Sequence, residues 1–156
     1  VAPTADGATE VHPAASLREL LPRAAAVIIC LPHTPETDGL LGAAELALLP
    51  TGAVLVNIGR GPIVDEKALY EALRDGHLSA AGLDVWYSYP PDAAARADWP
   101  PSACPFHELD NVVMSPHRGG AADETPRLRM AALAEMLNAA AEGREMGNVV
   151  DVGAGY

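Results

Sequence analysis

Four short apolar runs limit what this chain can fold into: residues 27–31, 53–57, 80–85 and 112–114. The first two are continuous rather than alternating. A run of that kind reads as a strand buried on both faces, as in a parallel sheet. Pro32 ends the first run, Gly59 to Pro62 break the pattern after the second, and Ser115-Pro116 closes the fourth.

Helical patterns fill most of the gaps. Ser16-Leu17-Arg18-Glu19 has the form of a capping box and predicts a short helix to about Arg23. Helix-like stretches follow from Pro35 and over residues 43–49, the latter stopped by Pro50 and Gly52. Asp65 is the expected cap of a helix to about Asp75, with Leu69 and Leu73 one turn apart and Gly76 as its stop. A last helix is expected with Thr125 as cap and Pro126 at its first position, ending near Glu142 and Gly143. Met130, Leu133, Leu137 and Ala140 give it one apolar face. Residues 86–111 are a long proline-rich stretch, and loops of that length are uncommon unless functional.

This alternation implies an α/β fold: a partial doubly wound (Rossmann-type) parallel sheet with flanking helices. In such sheets ligands sit beyond the carboxyl ends of the strands. The unusual residues of this chain cluster there: 32–34, 57–61, Asp84 and 116–120.

Composition narrows the partners. With 49% hydrophobic residues in 156, the chain can bury a core, and with only 4% aromatics that core must be aliphatic. A net charge of −11 with scattered basic residues argues against a nucleic-acid partner. No apolar run reaches the roughly 20 residues that span a bilayer. The two cysteines, Cys30 in a buried-strand pattern and Cys104 in a proline-rich loop, lack paired spacing, so a reducing, cytoplasmic setting is expected.

Two strand-end residues carry chemistry. Arg60, between Gly59 and Gly61, suits bidentate capture of a carboxylate, although a structural ion pair would explain it equally well. His117, before Gly119-Gly120, suits proton transfer near neutral pH; a histidine satisfied in a turn is the competing reading. Asp84 either accepts from a ligand amide or caps the loop that follows it. His12, His33, His77 and His107 join no other unusual feature and read as structural. No histidine pair has metal-ligand spacing, so no metal site is expected.

Five stretches together carry a family resemblance. They are Leu31-Pro32-His33-Thr34-Pro35-Glu36-Thr37, Asn57 to Gly61 with Val64-Asp65-Glu66, Gly82 to Val85, Asn111 to Gly120, and the ending from Asn148 to Tyr156. In this order they resemble the C-terminal part of the NAD-binding domain of D-isomer-specific 2-hydroxyacid dehydrogenases. The resemblance implies hydride transfer between NAD or NADP and a small 2-keto or 2-hydroxy acid, in an enzyme that is a homodimer when full length. Ile58, Gly59, Arg60, Asp84, His117, Arg118, Gly119 and Gly120 would contact the nicotinamide end, with Pro32 near the adenosine side. Arg60 would bind the substrate carboxylate and His117 would act as acid/base. Residues 1–125 would form the C-terminal portion of the dinucleotide domain, and 126–156 would cross towards a substrate domain.

Two departures stand out. No G-x-G-x-x-G precedes a helix, so the phosphate cradle is missing from this sequence. With Val1 in place of Met and no signal peptide following, the expectation is a truncated product that binds NAD weakly and is inactive alone. The second departure is at the family's third catalytic position, a glutamate five residues after the Gly-Leu-Asp-Val aspartate. Here it is Tyr89, a phenol that is neutral near pH 7. His117 is then expected to protonate less readily, supported by Tyr89 or by Glu108 from the same loop. That departure also gives weight to a nicotinamide-sensing, corepressor-like module without turnover.

Overall fold

In the computed structural model, residues 10–150, 152 and 153 are described. Residues 151 and 154–156 of the family-like ending therefore lie outside the described residues. Four strands, β1 (Ala26–Ile29), β2 (Ala53–Asn57), β3 (Leu78–Leu83) and β4 (Val112–Met114), form one parallel sheet in the order β1-β2-β3-β4. The strands fall where the apolar runs predicted them, β1 and β3 displaced by one or two residues. The α/β reading holds.

Burial is where the strand reading needs correction. Leu55 and Leu78 are fully buried, but Ile28 is 64% exposed and Val113 74%. The sheet buries one face only, and Cys30 lies exposed beyond the end of β1. A continuous apolar run identifies a strand suited to two covered faces. It does not supply the second cover.

The covered face packs against α2 (Ala43–Leu46) and α3 (Glu66–Arg74). Asp65 caps α3 as expected, Oδ1 accepting from the Ala68 N–H at 2.7 Å, and Leu69 and Leu73 face the core. Gly76 stops the helix at φ 74°.

Three helical expectations fail. Ser16 makes no side-chain cap to the short helix α1 (Leu17–Leu20), because a preceding 3-10 turn holds it at φ −83°, ψ 2°. Glu45 instead accepts from the Gly42 N–H at the start of α2, and α2 is one turn, not two. From Pro35 there is a turn, not a helix. Thr37 Oγ1 accepts from the Thr34 N–H and donates to the Pro32 carbonyl, both at 2.8 Å, offering the backbone an alternative to helical bonds.

The last helix, α4 (Thr125–Ala141), begins one residue earlier than expected, with Glu124 at the cap position. Its apolar stripe is not buried: Met130, Leu133 and Leu137 are exposed, and Ala139 is its buried residue. Periodicity identifies the apolar face of a helix but not what covers it. None of the described helices is long and apolar enough to cross a membrane.

The 86–111 stretch is ordered by anchors at its base. Phe106 is buried edge-on to Tyr70 and stacked on Tyr87. The Glu66 carboxylate accepts from the Ser102 hydroxyl and the Ala103 N–H, tying the stretch to the first turn of α3.

Candidate active site at the strand ends

The chain after β2 folds around one side chain. Asn57, 1% exposed, accepts at Oδ1 from the Gly59 N–H (3.0 Å) and donates from Nδ2 to the Arg60 carbonyl (2.9 Å). The glycines beside Arg60 have a packing reason. A Cβ on Gly59 would lie 2.6 Å from the Leu31 carbonyl, and one on Gly61 would lie 2.4 Å from the Trp86 carbonyl. The three loops after β1, β2 and β3 are thus pressed together, with extended Arg60 held between two close approaches. Its guanidinium donates to the Gly59 carbonyl and has no carboxylate partner among the described residues. Exposed Leu31, Pro32 and Ile58 sit at the same edge.

The loop after β4 is gripped from behind. Both Asp84 oxygens accept backbone N–H groups, Oδ1 from Arg118 and Oδ2 from Gly119, each at 2.8 Å. A Cβ on Gly119 would meet Oδ2 at 2.8 Å. Burial pushes the Asp84 carboxyl up, but the Ser115 hydroxyl, these two amides and nearby His117 together hold it below its ordinary value. Asp84 thus caps the loop after β4 rather than the loop that follows it in sequence. The clamp follows directly on His117, which has φ 56°, a left-handed conformation costly for a non-glycine residue.

His117 has a partner. Tyr89 Oη lies 3.1 Å from His117 Nδ1 and accepts from the Trp86 N–H at 3.0 Å. The phenol can donate to a bare Nδ1 or accept from Nδ1–H, so the contact orients the ring in either tautomer. Glu108 is not a partner: it is exposed and faces His107. His12, His33 and His77 bond Glu10, Asp38 and the Leu46 carbonyl, as expected of structural histidines.

The site residues form two groups. Asp84, Tyr89, His117, Arg118 and Gly119 are joined by hydrogen bonds, while Pro32, Ile58, Gly59 and Arg60 sit at the ends of β1 and β2. They are bridged by the Gly61–Trp86 approach and by the Asp84 N–H donating to the Asn57 carbonyl. Arg60 makes no hydrogen bond to His117. A cavity of about 820 Å3 opens beside His117, walled by Trp86, Tyr89, Arg96, Trp99 and Arg118, and Arg60 does not line it. The sequence places Asn57 among the unusual strand-end residues, but its part in folding the loop is not foreseen there. The sequence reading misses Arg96 and Trp99, which lie in a stretch with no periodicity to place them.

Residues 2–119 match the family model described as D-isomer specific 2-hydroxyacid dehydrogenase, NAD binding domain. The glyoxylate reductase of Aeropyrum pernix is 44% identical over 137 residues, covering 87% of this chain and 38% of the relative. The D-3-phosphoglycerate dehydrogenase of Methanocaldococcus jannaschii is 35% identical over 136 residues, 87% of this chain and 24% of its own length. The chain thus spans well under half of these relatives. Among solved structures, a D-isomer specific 2-hydroxyacid dehydrogenase of Xanthobacter autotrophicus Py2, in complex with NADPH and MES, superposes with a TM-score of 0.77 at 37% identity. It covers 93% of this chain and 55% of that one. A probable 2-hydroxyacid dehydrogenase of Rhizobium etli, in complex with NADP, gives 0.79 at 28% identity over 100% of this chain and 47% of its own.

Proposed function

Because the chain belongs to the D-isomer specific 2-hydroxyacid dehydrogenases, we propose that it forms the nicotinamide side of a site that interconverts 2-keto and D-2-hydroxy acids. The observation that carries this reading is the Trp86–Tyr89–His117 chain of hydrogen bonds, which orients one imidazole nitrogen and leaves the other for a substrate.

The described residues fit the ring end of NAD or NADP. Leu31 and Ile58 present exposed apolar surface at adjacent strand ends, and Gly59 and Gly119 bring backbone close by. On this reading Pro32, Arg118 and Gly120 would join them against the cofactor, and Asp84 fixes the loop that carries the last two. No glycine-rich phosphate cradle occurs in the sequence, so on its own the chain should hold the cofactor weakly. When bound, the cofactor supplies a hydride to the substrate's carbonyl carbon in reduction and takes it back in oxidation.

The protein's part is binding and proton transfer. Arg60, without a carboxylate partner among the described residues, pairs the substrate carboxylate. The doubly protonated His117 gives its Nε2 proton to the carbonyl oxygen in reduction, leaving the neutral Nδ1–H ring, and the bare Nε2 of that ring takes the proton from the hydroxyl in oxidation. Tyr89 accompanies either state. Its oxygen accepts from Nδ1–H in both the doubly protonated and the neutral ring, while its hydroxyl keeps a proton of its own to donate. A carboxylate could only accept.

The test is a chimera that supplies the preceding segment of the Aeropyrum pernix relative, assayed for 2-keto-acid-dependent loss of NADH or NADPH absorbance. His117→Ala should lower turnover by about 10²–10⁴-fold, and Arg60→Gln should chiefly raise KM. Turnover unchanged in His117→Ala overturns the assignment. For the chain alone, micromolar NAD affinity or any turnover would contradict the weak-binding expectation.

A further inference from the structure

The cavity beside His117 has a charge pattern at odds with the rest of the molecule. The chain carries 21 acidic against 10 basic residues, yet Arg96, Arg118 and His117 line this cavity and no aspartate or glutamate does among the described residues. Neither guanidinium has an ion-pair or side-chain hydrogen-bond partner among the described residues. The nearest acids are committed elsewhere or face outward. Asp84 spends its oxygens on the Arg118 and Gly119 amides, Asp92 caps the Ala94 and Ala95 N–H groups, and Asp98 is exposed.

Its walls are aromatic. Both tryptophans of the chain and Tyr89 line it, although aromatics make up only 4% of the residues. Trp99 is held in place, its Nε1–H donating to Ser88 Oγ at 2.7 Å, while the Ser88 N–H donates to the Pro101 carbonyl. The ring belongs to the built wall, not to a loose loop. A volume of about 820 Å3 is in the upper part of the range for organic-ligand pockets.

We propose that this cavity is a specificity subsite for an organic anion with a flat, apolar body, its charge held by Arg96 and Arg118 and its body against Trp99. On the reading above, on which the substrate assignment rests, the occupant is the side chain of the 2-keto acid. Arg60 lies outside the cavity and takes the carboxylate next to the carbonyl. The side chain is therefore bulky, unsaturated or aromatic, and carries a second negative charge.

Because Trp86 and Trp99 are the chain's two tryptophans and both line the cavity, intrinsic fluorescence reports on it directly. The chain is titrated with phenylacetate, with its neutral analogue 2-phenylethanol, and with acetate, which has the charge without the body. Phenylacetate is expected to give a saturable change, with the other two at least about tenfold weaker. The double variant Arg96→Gln/Arg118→Gln, both exposed positions, should weaken phenylacetate by about tenfold or more, the scale of a charge-assisted hydrogen bond. Arg96→Lys in the Arg118 background should retain most of the binding.

Equal binding of 2-phenylethanol or acetate, no saturable change with phenylacetate, or unaltered binding in the double variant overturns the inference. The two proposals fail separately. Keto-acid turnover by the chimera without phenylacetate binding removes the subsite alone. Phenylacetate binding without any turnover keeps the anion site and removes the substrate assignment.

Discussion

Gly61 packs so closely on Trp86 that a Cβ at position 61 would lie 2.4 Å from the Trp86 carbonyl oxygen. That contact joins the Arg60 loop to the segment carrying Tyr89, so one glycine links the two halves of the site. Gly61→Ala should destabilise the chain by about 1–3 kcal/mol, as overpacking against backbone does. Gly59→Ala should behave likewise. Gly147→Ala, where a Cβ meets nothing within 4 Å, should be near neutral. Denaturant midpoints check all three.

The one-sided sheet makes a second prediction. Leu55→Ala, on the covered face, should cost about 2–5 kcal/mol. Val113→Ser, 74% exposed on the other face, should stay within about 0.5 kcal/mol. Comparable losses at both positions would mean that both faces are covered.

Glu66 holds the 86–111 stretch to α3 through Ser102 and Ala103. Glu66→Ala should loosen the stretch without unfolding the sheet. Limited proteolysis should then cut within residues 88–101 several times faster, while the thermal midpoint shifts little.

Asp84 couples loop geometry to pH. Its carboxyl is held below the ordinary 3.8 in the folded chain. A depressed carboxylate contributes stability above its unfolded value and loses it as pH falls through the folded one. The stability difference between the protein and Asp84→Asn should therefore be full at neutral pH and shrink below about pH 4. A difference that grew on acidification would reverse the assignment.

The strands, α3 with its Asp65 cap, and the strand-end clustering of Asn57 to Gly61 with His117 to Gly120 are legible in the sequence. Each rests on local periodicity or turn chemistry. The apolar stripe of α4 and the second face of the sheet are misjudged because covering is a tertiary property that no local pattern encodes. Tyr89 is visible as a departure from the family's glutamate. Its bond to His117, and the exclusion of Glu108, depend on how residues 86–111 fold back, which is set by Phe106 and Glu66.

The central claim is that Tyr89 takes the place of the family's glutamate as the group that orients His117. Tyr89→Glu in the chimera should extend reduction to higher pH and move the acid limb of oxidation in step, since a carboxylate stabilises the doubly protonated ring. The most direct measurement is the tautomer of neutral His117, read from long-range ¹H–¹⁵N correlations of the labelled chain and assigned with His117→Gln. The account predicts the Nδ1–H tautomer, whose bare Nε2 can take the substrate's proton, and a loss of that preference in Tyr89→Phe. A neutral Nε2–H ring, or a tautomer indifferent to Tyr89→Phe, would contradict it.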